Sequence, residues 1–422
     1  MRPNMTFRMP GRTAPILLAF ALGLAGLAGS AAASDEGSVT FEQALRTAFS
    51  NNPDFAAAAF EPAIAEGGRR QAGLIPNPEL SWEAEDTRSD SRTTTVLLSQ
   101  PIELGGKRGA RIDVATRGQN AADVELQRKR NVLRAEVIQS FYGALLAQQR
   151  LALAEESEAL AERGLAVAEG RSRAGTSSPV EATRARVQLS EVRLELQRAS
   201  MQRAIAYQQL ASAMGQSGFA FGEVKGTDRW LPRLPATDAL LARVGETADL
   251  RLATIQIDER EAALGLERAQ RIPDLTVSIG SQYDAETKDR VNVVGLSMPI
   301  PLFDRNQGNV LAAARRADQA RDLRRATELR LQGEVRQALE QWATALGAID
   351  SYDRLILPAA RDAVGSATRG FEMGKFAFLD VLDAQRTLIA ARSQYIQAMS
   401  DALESWVRVE RIFGDLRAFD GR

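Results

Sequence analysis

The sequence predicts a mainly α-helical protein with a small β part, laid out as two internal structural repeats. Three observations carry this reading. Landmarks recur at a nearly constant offset: Pro78 with Pro273, Pro101 with Pro299, and Gly175 with Gly374 lie 195, 198 and 199 residues apart. Two stretches, 105–173 and 304–372, sustain a helical apolar stripe, and Pro358 alone interrupts the second. Ahead of each stretch, two short runs alternate between apolar and polar residues with the period of a strand. The offset is far too long for a stacked solenoid, whose repeats are much shorter units.

The elements follow in chain order. Residues 1–33 read as a secretory signal peptide: Arg2, Arg8 and Arg12 precede the apolar run "APILLAFALGLAGLAG", and the small-residue exit "SAAAS" places cleavage after Ala33. A membrane anchor is the alternative, but the run is short. The first repeat is expected over 34–214, with a short helical segment at 39–73, strands at 79–87 and 93–100, a long helix at 105–173 and a return helix at 178–214. A connecting, equatorial segment covers 215–236. The second repeat covers 237–414, with a helical segment at 237–270, strands at 275–284 and 290–298, a long helix at 304–372 and a return helix at 377–414. A C-terminal tail, 415–422, remains. The stripes are explicit: Leu126, Leu133, Val137, Phe141 and Ala144 in the first long helix, and Leu331, Val335, Ala338, Trp342, Ala345 and Ile349 in the second. Each long helix would reach roughly 100 Å at about 1.5 Å per residue.

Composition narrows the function. The chain is 45% hydrophobic and 25% charged, with a net charge of −1; removing the three N-terminal arginines leaves about −4, which carries no nucleic-acid footprint. It has no Cys and no His. That excludes thiol nucleophiles, Ser-His pairs, disulfides and His- or Cys-based zinc sites, and neither a cofactor nor a resident metal is expected. Glu83 and Glu85 lie on a strand with no convergent partner set, and no phosphate-binding glycine loop is present, so an enzyme is not expected. Four short strands are too few to close a membrane barrel, whose minimum is about eight. Three chains would supply twelve.

The junctions "QPIELGGKRGARI" and "MPIPLFDRNQGNV", set in this two-fold plan of helix, hairpin, long helix and return helix, resemble the TolC-like outer-membrane efflux proteins over 38–416. Within that family they look like the heavy-metal cation efflux branch, the CzcC type. The resemblance implies a homotrimer with a twelve-stranded β-barrel in the outer membrane and an α-helical barrel tunnel across the periplasm. It further implies a periplasmic adaptor (membrane fusion protein), an inner-membrane pump of the resistance–nodulation–division (RND) type, and contact with outer-membrane lipids. A drug-efflux or type I secretion channel of the same fold is the alternative; a structural periplasmic coiled coil is the reading from another class.

Particular residues then acquire expected roles. Pro101 and Pro299 would end the strand ladder, and Gly105, Gly106 and Gly308 would let the chain turn into the helices. Lys107, Arg108 and Arg111, with Arg305 in the second repeat, would either meet lipid phosphate or be solvated charge. Trp82 and Tyr283 fit an interfacial aromatic belt or packing at the barrel's periplasmic side. At the first helical tip are Gly175, Thr176 and Ser177, and at the second Gly374, Lys375, Phe376 and Phe378; both are adaptor-contact candidates, with the two phenylalanines expected to be exposed. Ser178, Pro179 and Glu181 spell a capping box, which the second tip lacks. Asp380 and Asp383 share a helix face. The resemblance makes them, with Glu181, candidates for a carboxylate constriction that favours cations; Glu181 is equally explained as a helix cap.

Overall fold

In a computed structural model, residues 37–226 and 230–416 are described, so the expected signal peptide and the tail from 417 lie outside the described residues. β1 (Ser38–Thr40) runs into α1 (Phe41–Asn51) through a full capping box: the Thr40 hydroxyl accepts from the Gln43 amide, and the Gln43 side chain accepts from the Thr40 amide at 2.9 Å. α2 (Pro53–Ala58) and α3 (Glu61–Ala72) complete the first short helical segment. β2 (Glu79–Glu85) and β3 (Thr93–Ile102) form a hairpin, α4 (Lys107–Arg173) runs unbroken for 67 residues, and α5 (Pro179–Ala213) returns beside it. β4 (Glu223–Lys225) pairs in parallel with β1.

The second repeat contains α6 (Thr237–Ala242), α7 (Ala248–Ala269), β5 (Leu275–Asp284), β6 (Arg290–Ser297), α8 (Gln307–Ser351), α9 (Leu357–Glu372) and α10 (Phe378–Phe413). Pro358 does not end the long helix. One π turn, Tyr352–Ile356, joins α8 to α9 and absorbs the amide that the proline lacks.

The helices form a layer in the order α5, α4, α10 and then α8 with α9, while α7 packs between α4 and α8 on the sheet side of α10. The main core lies where these elements meet the connecting segment. Phe141, Val137, Trp342, Val335 and Trp406 are buried there, and Tyr142 stacks on Trp230 at 4.3 Å and 19°. A buried ion pair crosses this core: Arg134 Nε donates to Glu410 Oε1 at 2.6 Å, and Arg134 Nη2 donates to Asp415 at 2.9 Å. Burial pushes the Glu410 carboxyl above the usual carboxylate range, against the opposing pull of Arg134.

The four longer strands make one antiparallel sheet, β2–β3–β5–β6, so the two repeats join through β3 and β5. Among the described residues no helix is long and apolar enough to cross a membrane.

Candidate functional site

Strand register sorts the sheet's side chains onto two unlike faces, since directly opposed residues share a side. Leu80 opposes Leu98, Leu98 opposes Ile279 and Ile279 opposes Val294; Trp82 opposes Val96, and Val277 opposes Leu296. This face is apolar yet exposed, with Leu80, Trp82, Val294 and Leu296 each about two-thirds or more accessible. The other face carries Glu79, Ser81, Glu83 and Glu85 of β2, Thr93, Thr95 and Ser99 of β3, and Ser278, Gln282 and Asp284 of β5, with Leu97 of β3 and Val291 and Val293 of β6 as its apolar members. Ser99 and Ser278 hydroxyls meet across the repeat junction at 2.9 Å. No strand residue on that polar face is a base. Ten-residue β3 and β5 match the roughly 9 to 11 residues that a tilted strand needs to cross a bilayer. Trp82 and Tyr283 both sit on the apolar face, Tyr283 next to the β5–β6 loop and Trp82 at the middle of β2.

The junctions differ from expectation in four respects. First, Pro101 does not end the ladder: β3 continues to pair with β5 through Ile102, and Pro101 opposes Thr276. It is tolerated because β2 begins only at Glu79, opposite Ser99, leaving Pro101 unflanked on that side. Pro299 does lie just past the end of β6. Second, Gly308 is inside α8; the left-handed residue at that helix start is Asn306, at φ 58°. Its amide nitrogen Nδ2 donates to the Glu267 carbonyl at 2.8 Å and carboxylate at 2.7 Å, which holds a conformation that Gly105 (φ 71°) and Gly106 (φ 74°) supply in the first repeat.

Third, the basic cluster has partners within the chain that its sequence position does not reveal. Lys107 Nζ donates to Asp274 Oδ1 at 2.7 Å, Arg108 Nε donates to the Gly73 carbonyl at 2.6 Å, and Arg111 forms an ion pair with Glu103. The Arg111 guanidinium holds the Glu103 carboxyl below its ordinary range. These contacts staple the start of α4 to β5 and to the end of α3. Arg305 is exposed and donates to the Leu302 carbonyl at 3.4 Å. Beside it Phe303 is 90% exposed, with Ile300 and Leu302 also open, continuing the sheet's apolar band.

Fourth, the second tip does not present both phenylalanines. Phe378 is buried in a small satellite cluster with Ala168, Ala182, Ala185 and Leu382, packed on Phe371 at 5.5 Å. Gly164 sits against it; a methyl group there would lie 3.4 Å from the Phe378 ring. Arg171 places its guanidinium 5.2 Å over the Phe371 ring. Phe376 is half-exposed, its ring lying against Gly370, where any Cβ would collide at 2.2 Å. Lys375 is exposed.

Both tips turn on left-handed glycines, Gly175 (φ 73°) and Gly374 (φ 71°), and the following amides close back on the helix: Thr176 N to Arg171 O at 3.0 Å, and Lys375 N to Gly370 O at 2.8 Å. Ser177 packs its hydroxyl inward beside them. Ser178 caps α5 by accepting from the Val180 amide at 3.3 Å, but the Glu181 carboxylate returns no bond, so its capping box is half-built. The second tip has the complementary half. Asp380 accepts from the Ala377 amide at 2.8 Å. Asp383, one turn further along, is exposed, and its carboxylate has no partner among the described residues. The two aspartates therefore share a face but not a role: the first closes a helix end, and the second is a free carboxylate.

Comparison with known proteins gives a consistent result. The sequence profile of the family described as Outer membrane efflux protein matches residues 44–216 and 244–415, once per repeat. The cobalt-zinc-cadmium resistance protein CzcC of Cupriavidus metallidurans is 40% identical over 90% of this chain and 90% of its own. The nickel and cobalt resistance protein CnrC of the same organism is 31% identical over 68% of this chain and 69% of its own. Among solved structures, CusC superposes with a TM-score of 0.75 at 19% identity over 89% of this chain and 92% of its own, and the outer-membrane channel OprN with 0.74 at 20% over 88% and 89%. The last two speak for the fold alone. The two-faced sheet, the paired long hairpins and these matches lead to one conclusion: the chain belongs to the outer membrane efflux protein family.

Proposed function

We propose that this protein is the outer-membrane duct of a three-part export system and passes heavy-metal cations, of the cobalt, zinc and cadmium class, to the exterior. The observation that carries the duct is the sheet. It is largely apolar on one face and largely polar on the other, and its outer edges, on β2 and β6, are unpaired among the described residues. An open edge is untenable in lipid, so the sheet must close with other copies. Three copies give twelve strands, with the apolar face toward lipid and the polar face toward a water-filled lumen. The metal assignment rests on the resemblance to CzcC and CnrC.

Energy comes from an inner-membrane RND pump reached through a periplasmic adaptor; the duct itself only conducts. Gly175, Thr176, Gly374, Lys375 and half-exposed Phe376 form the adaptor-facing mouth, and Asp383 supplies the carboxylate ring that concentrates cations in it. Asp380 is fixed in its cap and contributes charge from there, while Glu181, its box unclosed, is available as an acid of the other hairpin. With no His or Cys, the chain meets its cargo as charge and leaves ion selection to the pump and adaptor.

The test is growth of a deletion strain across zinc, cadmium, cobalt, nickel, copper, dyes and antibiotics. Selective metal sensitivity restored by the intact gene is expected. Sensitivity to drugs alone would discard the metal assignment while keeping the duct.

A further inference from the structure

The connection from β6 to α8 carries an apolar face that nothing among the described residues covers. Val294 and Leu296 lie on the sheet's apolar side, and the same alternation runs on past the last strand residue, Ser297, through Met298, Ile300 and Leu302. Each of these is more than half exposed, and Phe303, next in the chain, is open almost entirely. Pairing with β5 cannot account for the pattern there, because the ladder has ended at Ser297. A contiguous exposed apolar patch of this kind marks a contact surface. The segment is also braced. The Leu302 amide donates to the Ile300 carbonyl at 2.9 Å, the Arg305 amide to Gln307 Oε1 at 2.8 Å, and Gln307 Nε2 to the Phe303 carbonyl at 3.2 Å. These bonds fix the backbone and leave the apolar side chains outside.

The first repeat does otherwise at the same place. Between β3 and α4, Glu103 is paired with Arg111, and the Leu104 amide donates to Asp274 Oδ1 at 3.3 Å. Around the second connection the other strand roots add to the apolar band: Leu74 and Ile75 ahead of β2, Ile102 at the end of β3 and Ile272 ahead of β5 are all exposed. Cations edge the band. Arg271 and Arg305 are exposed, and neither makes an ion pair among the described residues. Asn306 Nδ2 reaches Gln270 Oε1 at 3.4 Å, which brings the chain positions of both arginines to one junction. Asp304, the acid between them, is turned back to accept from the Asn306 amide at 2.9 Å. Apolar side chains followed by free cations is the order met on passing from acyl chains to phospholipid headgroups.

We infer that the Met298–Phe303 segment is an interfacial foot set in the periplasmic leaflet of the outer membrane, with its apolar side chains among the acyl chains and Arg271 and Arg305 against phospholipid phosphate. This rests on the reading above that the sheet's apolar face meets lipid, and it carries that contact beyond the end of β6, to Phe303. The foot belongs to the second repeat alone. Its occupant is the bilayer rather than a second copy, because the run keeps the side-chain parity of the lipid-facing residues. A copy pairing along β6 would meet the strand's backbone edge, at right angles to this face.

The chain contains no cysteine, so one introduced thiol takes one label. Full-length Ile300→Cys, Phe303→Cys, Leu296→Cys and Asp322→Cys, each carrying a nitroxide, are reconstituted in vesicles of phosphatidylethanolamine and phosphatidylglycerol. Collisions with oxygen, which concentrates in the bilayer, are compared with collisions with a water-soluble nickel chelate. Leu296 marks the lipid-facing strand, and Asp322, exposed within α8, marks water. Labels at 300 and 303 are expected to favour oxygen as the label at 296 does. Adding Arg271→Gln and Arg305→Gln should shift the label at 303 toward the chelate; an unchanged depth would overturn the phosphate contact. Labels at 300 and 303 that behave like the one at 322 would overturn the foot. So would labels that meet neither probe, which would mean that a second copy or another protein covers the segment. A label at 296 that favours the chelate would instead overturn the lipid-facing sheet, and the foot with it.

Discussion

The two repeats share one plan and almost no local chemistry. The first enters its long helix through Gly105 and Gly106, stapled by Lys107 to Asp274; the second enters through Asn306, held by Glu267. α4 is continuous, whereas α8 and α9 are joined by a π turn ahead of Pro358. The first tip is capped by Ser178; the second by Asp380 and by a phenylalanine driven into the neighbouring hairpin. What the repeats hold in common is geometric: a left-handed residue at each helix start and each tip, and a two-strand hairpin ahead of each long helix. The backbone path is specified twice, and different side chains satisfy it. The second hairpin is also the less uniform of the two, being interrupted in mid-course and held at its end by a cluster separate from the main core.

Variants can break that contrast, beginning with the largest expected effect. Arg134→Met leaves Glu410 buried beside Trp406 without its cation, a loss of about 3–5 kcal/mol. It should lower the denaturation midpoint of the assembled protein more than any tip variant does, because the main core serves both repeats. Phe378→Ala empties the satellite cluster at a cost of about 3–5 kcal/mol, felt at the tip. Its signature is a raised single-channel conductance with little change in the global midpoint; an unchanged conductance would mean that the cluster does not hold the mouth.

Gly105→Ala places a methyl group 2.8 Å from Ile272 Cβ at a left-handed φ, which costs about 1–2 kcal/mol for the backbone alone. Gly106→Asn, with open space around it, should be tolerated and would make the first junction resemble the second. Thermal unfolding separates the two, and equal effects would dissolve the distinction drawn between the junctions. The smallest expected change in stability comes from the aspartates. Asp380→Asn keeps an acceptor oxygen but removes the charge near the helix N-terminus, a loss of about 0.3–1 kcal/mol. Asp383→Asn should leave stability unchanged and reduce cation preference in bilayer recordings; if selectivity follows Asp380 instead, the assignment of the free carboxylate is wrong.

Much of the architecture is legible in the sequence because it is periodic. Period two marks β2, β3, β5 and β6, and long helical stretches mark α4, α5, α10 and the joined α8 and α9, each to within a few residues. The misreadings fall where the deciding partner is remote in the chain. Phe378 reads as an exposed tip residue because its nest, Gly164, Ala168, Ala182 and Ala185, belongs to the other repeat. Lys107 and Arg111 read as free cations because Asp274 lies 167 residues away and Glu103 precedes the helix that Arg111 occupies. Gly308 reads as the turn because glycine is the usual left-handed residue, and an asparagine whose side chain is tied down is harder to see. The parallel pairing of β1 with β4 involves three residues each, too few for any periodicity to declare itself.

The staples at the start of α4 have a mechanical consequence. Lys107, Arg108 and Arg111 fasten the start of the 67-residue α4 beside the sheet, the main core grips it from Leu133 to Leu146, and the stretch beyond is held by a small apolar cluster and by ion pairs to α5 and α10. The stretch beyond Leu146 runs roughly 40 Å to the tip at about 1.5 Å per residue, so a bend of about 5° at the core would carry the tip through about 3.5 Å. The mouth is thus geared to the core rather than to the sheet, and a partner that grips the tips works on a lever of that length.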